Sequence, residues 1–390
     1  MRILFVVDYY QPALGYGSYY VPKALVGLGH QVVILTSNYF YPFPHYAETA
    51  GKILGPREQK VSVKKEEGVL VVRKRLWFEV FTRAIFGGQL EYLKKKRPDI
   101  VIVDKTAGYN TIVFSILKPF FGYRLISVDA HLPSGFMAEG NIILKEFFYL
   151  CFRLFFAGLI NKMVDKFIAV QEATKDIMIK YYGVKSEKIV HIPLGTDLSL
   201  FKYDNTSRKL IRKRYSIGMK DFVVIYTGKI IKEKGVHILF SAFNMLAKRY
   251  SDIKLLLVGS ANKDYERECF GLLEKEYHSR VILAGFQEAK CLYKFYSAAD
   301  VGVWPLQESM SMNDAAACSL PFIANSKIGA LARLSNNNAL LYRIGSHRDL
   351  AAKIEYLYRN KRMRKKMGMR GRELMEREFD WRVIASRYID

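Results

Sequence analysis

The sequence predicts an α/β protein built from two doubly wound parallel sheets, and three observations support this prediction. Apolar runs of four to eight residues alternate with segments of helical periodicity along almost the whole chain, as expected for strands buried on both faces of a parallel sheet. The pattern pauses once, in the polar, turn-rich segment 193–209, and then resumes. The length of 390 residues, half of them hydrophobic, suits two or three domains with separate cores.

The predicted elements follow one another in βα order. The strands predicted before the pause are 3–7, 31–36, 69–73, 100–103, 125–128, 166–170 and 189–192. The helices predicted between them are 18–28, 83–95, 109–119, 141–163 and 171–182. The strands predicted after the pause are 223–226, 254–258, 281–283, 301–304 and 322–324, with helices at 234–248, 288–297, 346–358 and 371–386. Ligands of such sheets bind outside the carboxyl ends of the strands, so two facing Rossmann-like sheets predict a cleft between the domains.

The charge and the cysteines limit the classes of function. The formal net charge is +24, which indicates anionic partners such as nucleotides, phospholipid surfaces or nucleic acid. The four cysteines are widely spaced, which argues against a zinc site or a disulfide framework and favours a reducing cytosol. We find no signal peptide pattern and no run of 18 apolar residues, so we expect a cytoplasmic protein without a transmembrane helix.

Two glycine-containing loops follow predicted strands. In QPALGYGSYY, 11–20, Gly15 and Gly17 precede a helix, where glycine lets a backbone approach a ligand and helix amides face an anion. In YTGKIIKEKG, 226–235, Gly228 ends a strand and Lys229 and Lys234 flank the turn into a helix. Two such cations can clamp a diphosphate. The alternatives are a flexible loop in the first case and a solvated lysine cluster in the second.

Two further strand ends carry polar side chains. His131 follows the strand of SVDAHLPSG, where a lone histidine is more often structural than catalytic. In ESMSMNDAAACSLP, 308–321, Glu308 and Asp314 bracket a short run of polar and flexible residues, Ser309, Met310 and Ser311. Carboxylates at a strand–helix turn can accept hydrogen bonds from vicinal hydroxyls of a sugar and a ribose. Alternatively, Asp314 is an N-cap or a first-turn acid that stabilises the helix.

Taken in order along essentially the whole chain, these segments resemble the GT-B glycosyltransferases, specifically glycosyltransferase family 4. The resemblance rests on P-x-x-G-x-G near the N-terminus, on PLGTDLSLF before the second domain, on YTGKIIKEKG, on DAAACSLPFIAN, and on EFDWRVIASRY at the end. It implies a first domain over 1–195, a linker over 196–208, a donor-binding domain over 209–368, and a terminal helix over 369–390 that crosses back.

The resemblance also implies the roles of the candidate residues. Lys229 and Lys234, with Gly228, would hold the donor diphosphate, and Glu308 would contact the transferred sugar. Asp314 would bind the ribose hydroxyls, with Ser309–Ser311 offering backbone amides. His131 would lie near the sugar and stabilise charge in the transition state. Gly15 and Gly17 would let the first domain's loop approach the donor phosphate and the acceptor.

Several departures from the family pattern concern the donor site. Position 229 is Lys instead of the usual Arg, which loses a bidentate phosphate contact. Five residues separate Glu308 from Asp314, where the family has seven, and the second acid is Asp instead of Glu. No Asp-x-Asp motif is present, so we expect no metal and no other cofactor.

The expected activity is therefore a retaining transfer from a nucleotide-sugar, a UDP-sugar more than a GDP-sugar, to a hydroxyl of a glycan or lipid-linked acceptor. The aromatic and basic segment 141–166 suits either an anionic membrane surface or a buried core helix. A peripheral location at the inner face of the membrane and a role in polysaccharide, lipopolysaccharide or glycolipid biosynthesis are part of this expectation. The alternatives are a basic nucleic-acid-binding protein, a nucleotide-binding protein without transferase activity, and a nucleotide-sugar epimerase or phosphorylase of the same architecture.

Overall fold

The computed structural model describes residues 1–14, 17–43, 45–48, 50–131, 142–329 and 331–390, with the backbone alone at 142 and 331. The chain divides into two compact units. The first unit contains Met1–Leu194 and Trp381–Asp390, and the second contains Gly195–Asp380.

The first unit is built on an eight-stranded sheet of order β10-β9-β8-β7-β1-β2-β4-β3, in which β3 alone runs antiparallel to its neighbour. Its strands are β1 Arg2–Val7, β2 Gln31–Ser37, β3 Ser62–Glu66, β4 Val69–Lys74, β7 Ile100–Asp104, β8 Arg124–Asp129, β9 Lys166–Ala169 and β10 Ile189–His191. A separate antiparallel pair is formed by β5 Leu76–Val80 and β6 Arg83–Phe86. The central strands are buried along nearly their whole length, which explains their unbroken apolar runs.

Helices connect these strands and cover the sheet. They are α1 Gly17–Gly27, α2 Gly51–Leu54, α3 Gln89–Lys96, α4 Tyr109–Phe121, α5 Ile142–Met163, α6 Glu172–Lys180 and, at the end of the chain, α14 Trp381–Ile389. The last helix belongs to this unit because Trp381 stacks on Tyr20, with ring centroids 5.0 Å apart, and Arg124 donates to the Ile389 carbonyl at 2.6 Å.

The second unit is built on six parallel strands of order β13-β12-β11-β14-β15-β16. They are β11 Phe222–Thr227, β12 Ile253–Val258, β13 Val281–Gly285, β14 Val301–Trp304, β15 Phe322–Asn325 and β16 Ala339–Tyr342. The helices are α7 Asn205–Arg214, α8 Val236–Ala247, α9 Lys263–Gly271, α10 Leu292–Ala298, α11 Ser311–Ala317, α12 His347–Arg359 and α13 Lys361–Leu374. The prediction of two Rossmann-like parallel-sheet domains is therefore confirmed.

The structure places the domain limits differently from the sequence. Residues 196–208 are no separate linker, because Phe201 is buried in the core of the second unit and the Thr196 amide donates to the Phe379 carbonyl at 2.8 Å. Residues 369–380 also belong to the second unit, since Leu374, Met375 and Phe379 lie in the same core. Only 381–390 return to the first unit.

Some predicted elements are wrong. The helix predicted over 83–95 begins only at Gln89, because Arg83–Phe86 pairs with β5 as a buried strand. The helix predicted over 371–386 is the end of α13, a π-helical turn at Met375–Phe379, and α14. Strands β3, β5 and β16 and helices α2, α7 and α13 were missed. Most of these are short or strongly charged elements whose apolar residues are too few to show a period.

Candidate functional site

Each sheet reverses its strand order once, and the candidate residues gather at these two reversals. In the first unit the reversal lies between β1 and β7, and in the second between β11 and β14. Neighbouring connections leave toward opposite faces of the sheet there, which opens a crevice at the carboxyl ends of the strands.

In the second unit, glycines let the ends of β11 and β12 approach closely. Gly228 has a φ of 143° and Gly259 a φ of 151°. A Cβ on Gly259 would lie 1.9 Å from the Gly228 carbonyl oxygen. Gly235 caps α8 in the left-handed region, with a φ of 69°, and a Cβ there would lie 2.4 Å from Leu306 Cγ. The loop 228–235 therefore depends on glycine conformation and lies against the loop after β14.

Lys229 and Lys234 are two cations of this loop without acidic partners. Neither ammonium has a hydrogen bond or ion pair within the described part of the chain. Lys229 is exposed, while Lys234 is half-buried. Burial, followed by the charge of Lys229, lowers the pKa of Lys234, which places the two ammonium groups within electrostatic range of each other. An anion bound between them would relieve that repulsion.

The loop after β14 is fastened to the end of β11. The buried Trp304 indole donates to the Thr227 carbonyl at 3.1 Å and to Ser311 Oγ at 3.0 Å. Ser309 Oγ and Ser311 Oγ lie 2.7 Å apart, and the Ser311 amide donates to Ser309 Oγ. Met310 is the half-buried residue before α11. Two of the predicted donor-binding segments, 228–235 and 308–314, are therefore adjacent.

Glu308 is held by groups from a later part of the chain. Its Oε1 accepts from the Gly329 amide at 2.6 Å, and its Oε2 lies 3.9 Å from Arg333 Nη1. Arg333 is 7% exposed and donates to the Ser309 carbonyl at 3.2 Å. Its Nε has no hydrogen-bond partner among the described residues. Sequence reasoning missed Arg333, because LARLSNNN contains no recognised motif.

Asp314 lies in the first turn of α11, and its Oδ1 accepts from Thr196 Oγ1 at 2.7 Å. Burial raises its pKa to about 7, against the lowering effects of the Thr196 hydrogen bond and of Arg333. The carboxyl group therefore titrates near neutrality, and its partner comes from the segment predicted to be a linker. The structure shows no hydrogen bond between Asp314 and the amides of its own helix, as an N-cap would require.

A cavity of about 540 Å³ lies beside the loop 228–235 of the second unit. It is lined by the ends of β12 and β13, including Gly259, Ser260, Leu283 and Phe286. Phe286 is 60% exposed, and the Gly259 amide donates to the Gly285 carbonyl at 2.9 Å. An exposed aromatic ring next to backbone groups can receive a planar base.

In the first unit, His131 lies on a cavity of about 420 Å³. Asp129, whose side chain is fully buried, accepts from His131 at two places: the ring Nδ1 at 2.6 Å and the amide at 3.1 Å. The Thr106 amide donates to the second oxygen of Asp129 at 3.0 Å. Burial would raise the pKa of Asp129, but His131 and these hydrogen bonds together lower it. The D-x-H spacing was the signal that could have identified Asp129.

Lys105 and Asp8 form an ion pair at the reversal point of the first sheet. Lys105 Nζ lies 3.2 Å from Asp8 Oδ2, donates to the Thr82 carbonyl, and lies 5.0 Å from the Tyr9 ring centroid. Asn110 donates to the other Asp8 oxygen at 3.1 Å. Lys105 has a φ of 68°, which is uncommon for a residue with a side chain. No sequence motif predicted this pair.

Of the two glycines predicted to approach a ligand in the segment 11–20, the structure describes only Gly17. Gly17 begins α1 and lines the 420 Å³ cavity, and a Cβ there would lie 3.1 Å from Leu194 Cδ2. Gly15 lies outside the described residues.

These features define a class of protein. Two Rossmann-like parallel-sheet domains, each with polar residues at the carboxyl ends of its strands, form the architecture of GT-B glycosyltransferases. Family models match both parts of the chain: "Glycosyltransferase Family 4" over residues 19–200 and "Glycosyl transferases group 1" over residues 207–374. The chain belongs to this family of GT-B glycosyltransferases.

Similar proteins agree with this assignment. The capsular polysaccharide biosynthesis glycosyltransferase CapM of Staphylococcus aureus is 26% identical over 223 residues, covering 56% of this chain and 58% of CapM. The chain spans only 53–58% of the length of the first curated relatives that it matches. HepE of Anabaena in complex with UDP has a TM-score of 0.68 at 18% identity, covering 99% of this chain and 98% of HepE. A glycosyltransferase from Rickettsia africae has a TM-score of 0.71 at 16% identity, covering 100% and 96%.

Proposed function

We propose that the protein is a retaining glycosyltransferase that moves a sugar from a nucleotide-sugar, a UDP-sugar more than a GDP-sugar, to a hydroxyl of a glycan or lipid-linked acceptor. The observation that carries this proposal is the pair of cations Lys229 and Lys234, on the loop that leads into α8, which have no partner in the part of the chain that the structure describes. The chain contains many ion pairs, so two neighbouring lysines without acids at a strand end indicate an external anion.

In this proposal the second unit holds the donor. Lys229, Lys234 and the N-terminus of α8 bind the diphosphate, and they stabilise the charge that grows on it as the sugar departs. Glu308 contacts the sugar, Asp314 the ribose hydroxyls, and the cavity near Phe286 the base. HepE, which has the same fold, has been crystallised with UDP and with UDP-glucose, which supports the choice of a UDP-sugar.

The first unit, which contains His131, would hold the acceptor. The acceptor hydroxyl attacks the anomeric carbon on the face from which the diphosphate leaves, and its proton passes to the leaving phosphate oxygen. His131, which the hydrogen bond to Asp129 holds in place, stabilises the charge that develops on the reacting sugar in the transition state. This assignment needs no protein nucleophile and no metal ion, and the reaction is expected to proceed in EDTA.

The proposal is tested by calorimetry with UDP, GDP, ADP and UDP-glucose on the wild type, Lys234→Ala and a control, Lys209→Ala, which removes an exposed lysine of α7. We expect UDP binding that weakens about 10- to 100-fold in Lys234→Ala, the loss typical of a charge-assisted contact, and is unchanged in the control. Absence of nucleotide binding in the wild type, together with salt-sensitive binding to DNA or RNA, would instead favour the nucleic-acid-binding alternative.

We also propose that the first unit rests on an anionic membrane surface. Helix α5 is apolar on two opposite faces. One face packs into the core through Tyr149, Phe152 and Ile160. The other is a solvent-facing stripe of large apolar side chains, which are Ile143, Leu144, Phe147, Leu150, Leu154 and Phe155.

The charges beside this stripe favour a lipid surface as its partner. Phe147, Leu154 and Phe155 are 61%, 70% and 74% exposed. Arg153 and Lys162 are exposed on the same helix, against a single exposed acid, Glu146. Apolar side chains flanked by cations suit the headgroup region of an anionic leaflet. No helix in the described ranges is long and apolar enough to cross a membrane.

Vesicle flotation tests this surface. We expect the wild type to float with phosphatidylglycerol-containing vesicles and Phe147→Ser/Phe155→Ser to remain in the soluble fraction. The control is Leu210→Ser, which removes an apolar side chain of similar exposure from the second unit. Equal flotation of all three proteins would contradict the proposal.

A further inference from the structure

The cavity of the first unit contains one carboxylate that nothing described above employs. Asp104 ends β7 and lines the 420 Å³ cavity together with His131, Lys105 and a group of aromatic residues. Within the described ranges its carboxylate has neither a hydrogen-bond nor an ion-pair partner. A buried or half-buried carboxylate normally has such partners, so this one indicates a ligand that donates hydrogen bonds.

We propose that this cavity takes an uncharged sugar end group as the acceptor, and that Asp104 determines this specificity by accepting hydrogen bonds from the acceptor's hydroxyls. The inference rests on the proposed function and specifies its acceptor class. Sugars that carry a phosphate or a carboxylate at the same position are disfavoured.

The cations near the cavity are already neutralised. Lys105 is paired with Asp8 at 3.2 Å and donates to the Thr82 carbonyl, so its donors are directed into the protein. The His131 ring is hydrogen-bonded to Asp129 at 2.6 Å. No arginine is among the described residues that line the cavity. A phosphate or uronate in this cavity would meet the negative charge of Asp104 without an unpaired cation to compensate.

The walls of the cavity suit a neutral ring. Tyr9, Tyr41, Phe43 and Tyr388 contribute aromatic surface. The Tyr9 hydroxyl donates to Glu79 at 2.5 Å, so this ring offers the cavity mainly its apolar face. The volume of about 420 Å³ falls within the range of about 300–1,000 Å³ usual for small-molecule pockets. Apolar walls with one convergent carboxylate fit a sugar that packs its C–H face and donates its hydroxyls.

The electrostatics agree with this assignment. Burial raises the pKa of Asp104 to about 6, with the charge of Lys105 opposing the shift and those of Asp8 and Asp129 reinforcing it. At neutral pH the group is largely ionised and desolvated, and hydroxyl donors would replace the water that it has lost.

The experiment uses octyl glycosides as probes with the full-length protein saturated with UDP. Octyl glucoside and octyl galactoside are compared with octyl glucuronide and octyl glucoside 6-phosphate. Saturation-transfer NMR measures binding, and transfer from UDP-glucose measures turnover. The variants are Asp104→Asn, which is nearly isosteric, and the control Asp176→Asn, an exposed acid of α6. Thermal unfolding verifies that both variants fold.

We expect the wild type to favour a neutral glycoside at least about tenfold over its anionic counterpart. Asp104→Asn should weaken binding of the neutral glycoside about 10- to 100-fold, the loss expected when a hydrogen bond to a charged group is removed. The same variant should reduce the preference for the neutral over the anionic glycoside and leave UDP affinity unchanged. Preference for an anionic glycoside, binding of no glycoside, or an Asp104→Asn variant equal to the control would overturn the inference. Failure of the wild type to bind UDP is a separate result, which would overturn the proposed function itself.

Discussion

The two units place opposite kinds of unpaired charge at similar positions of similar sheets. In the second unit, the strand-end loop carries Lys229 and Lys234 without acidic partners. In the first unit, the strand-end lysine is Lys105, which is paired with Asp8, while the carboxylate of Asp104 has no partner among the described residues. In the proposed assignments, the same parallel-sheet geometry therefore forms a site for an anion in one unit and for hydrogen-bond donors in the other. The sheet fixes where a ligand binds, while local charge pairing decides which ligand it is.

The largest effect that separates the two units is expected from His131→Ala. Loss of a preorganised group that acts on the transition state should lower kcat/KM about 100- to 1,000-fold. UDP affinity should stay unchanged, because the donor is assigned to the other unit. Steady-state kinetics and calorimetry with UDP measure the two quantities, with His347→Ala, an exposed histidine of α12, as the control. A parallel loss of UDP affinity would show that the division of roles is wrong.

The next effect is expected from Arg333→Met in the second unit. Removal of this buried guanidinium leaves Glu308 without its cation and the Ser309 carbonyl without its donor. The displaced loop should lower kcat/KM for the donor about 10- to 100-fold, because small misplacements of positioning groups are costly. Arg333→Lys should recover part of the loss only if charge matters more than the forked geometry. Unchanged kinetics in Arg333→Met would leave Arg333 with a purely structural role.

A smaller effect, an increase in UDP affinity, is expected from Lys229→Arg. A guanidinium can contact a diphosphate with two parallel hydrogen bonds, whereas an ammonium acts as a point charge. UDP affinity should rise by about the factor of ten that one net hydrogen bond represents, or less. Lys209→Arg is the matched control on the exposed face of α7. Weaker UDP binding in Lys229→Arg would mean that this position does not face the phosphates.

The smallest effect concerns stability and pH. The pKa of Asp314 in the folded protein is raised from its usual value of 3.8 to about 7, so folding takes up a proton between these values. The stabilising contribution is therefore complete below about pH 4 and lost as the pH rises through 7. Asp314→Asn, which keeps an oxygen for Thr196, should therefore match the wild type below about pH 4 and melt several degrees higher at pH 8. Calorimetric melting with the exposed Glu373→Gln as control measures this. A difference that does not vary with pH would contradict the assignment.

The sequence by itself determined the class of fold and most of the loops that carry the chemistry. Apolar runs and glycines are local signals, because a strand buried on both faces must be apolar wherever it pairs. The strands at 100–103 and 301–304, and the loops of Lys229, Lys234, Glu308 and His131, could therefore be located from their own neighbourhoods. The roles of these residues came from a family resemblance and stay predictions.

Only the tertiary structure decided which side chains are paired. These pairs are distant in sequence: Arg333 is 25 residues from Glu308, Thr196 is 118 residues from Asp314, and Asp8 is 97 residues from Lys105. No local pattern encodes such separations, which depend on strand order and on the closing of long loops. The helix predicted over 83–95 failed for the same reason, since burial of Arg83–Phe86 against β5 outweighed local propensity. The charge that each site presents to a ligand is thus a property of the folded chain, because it depends on which charged side chains are paired with one another.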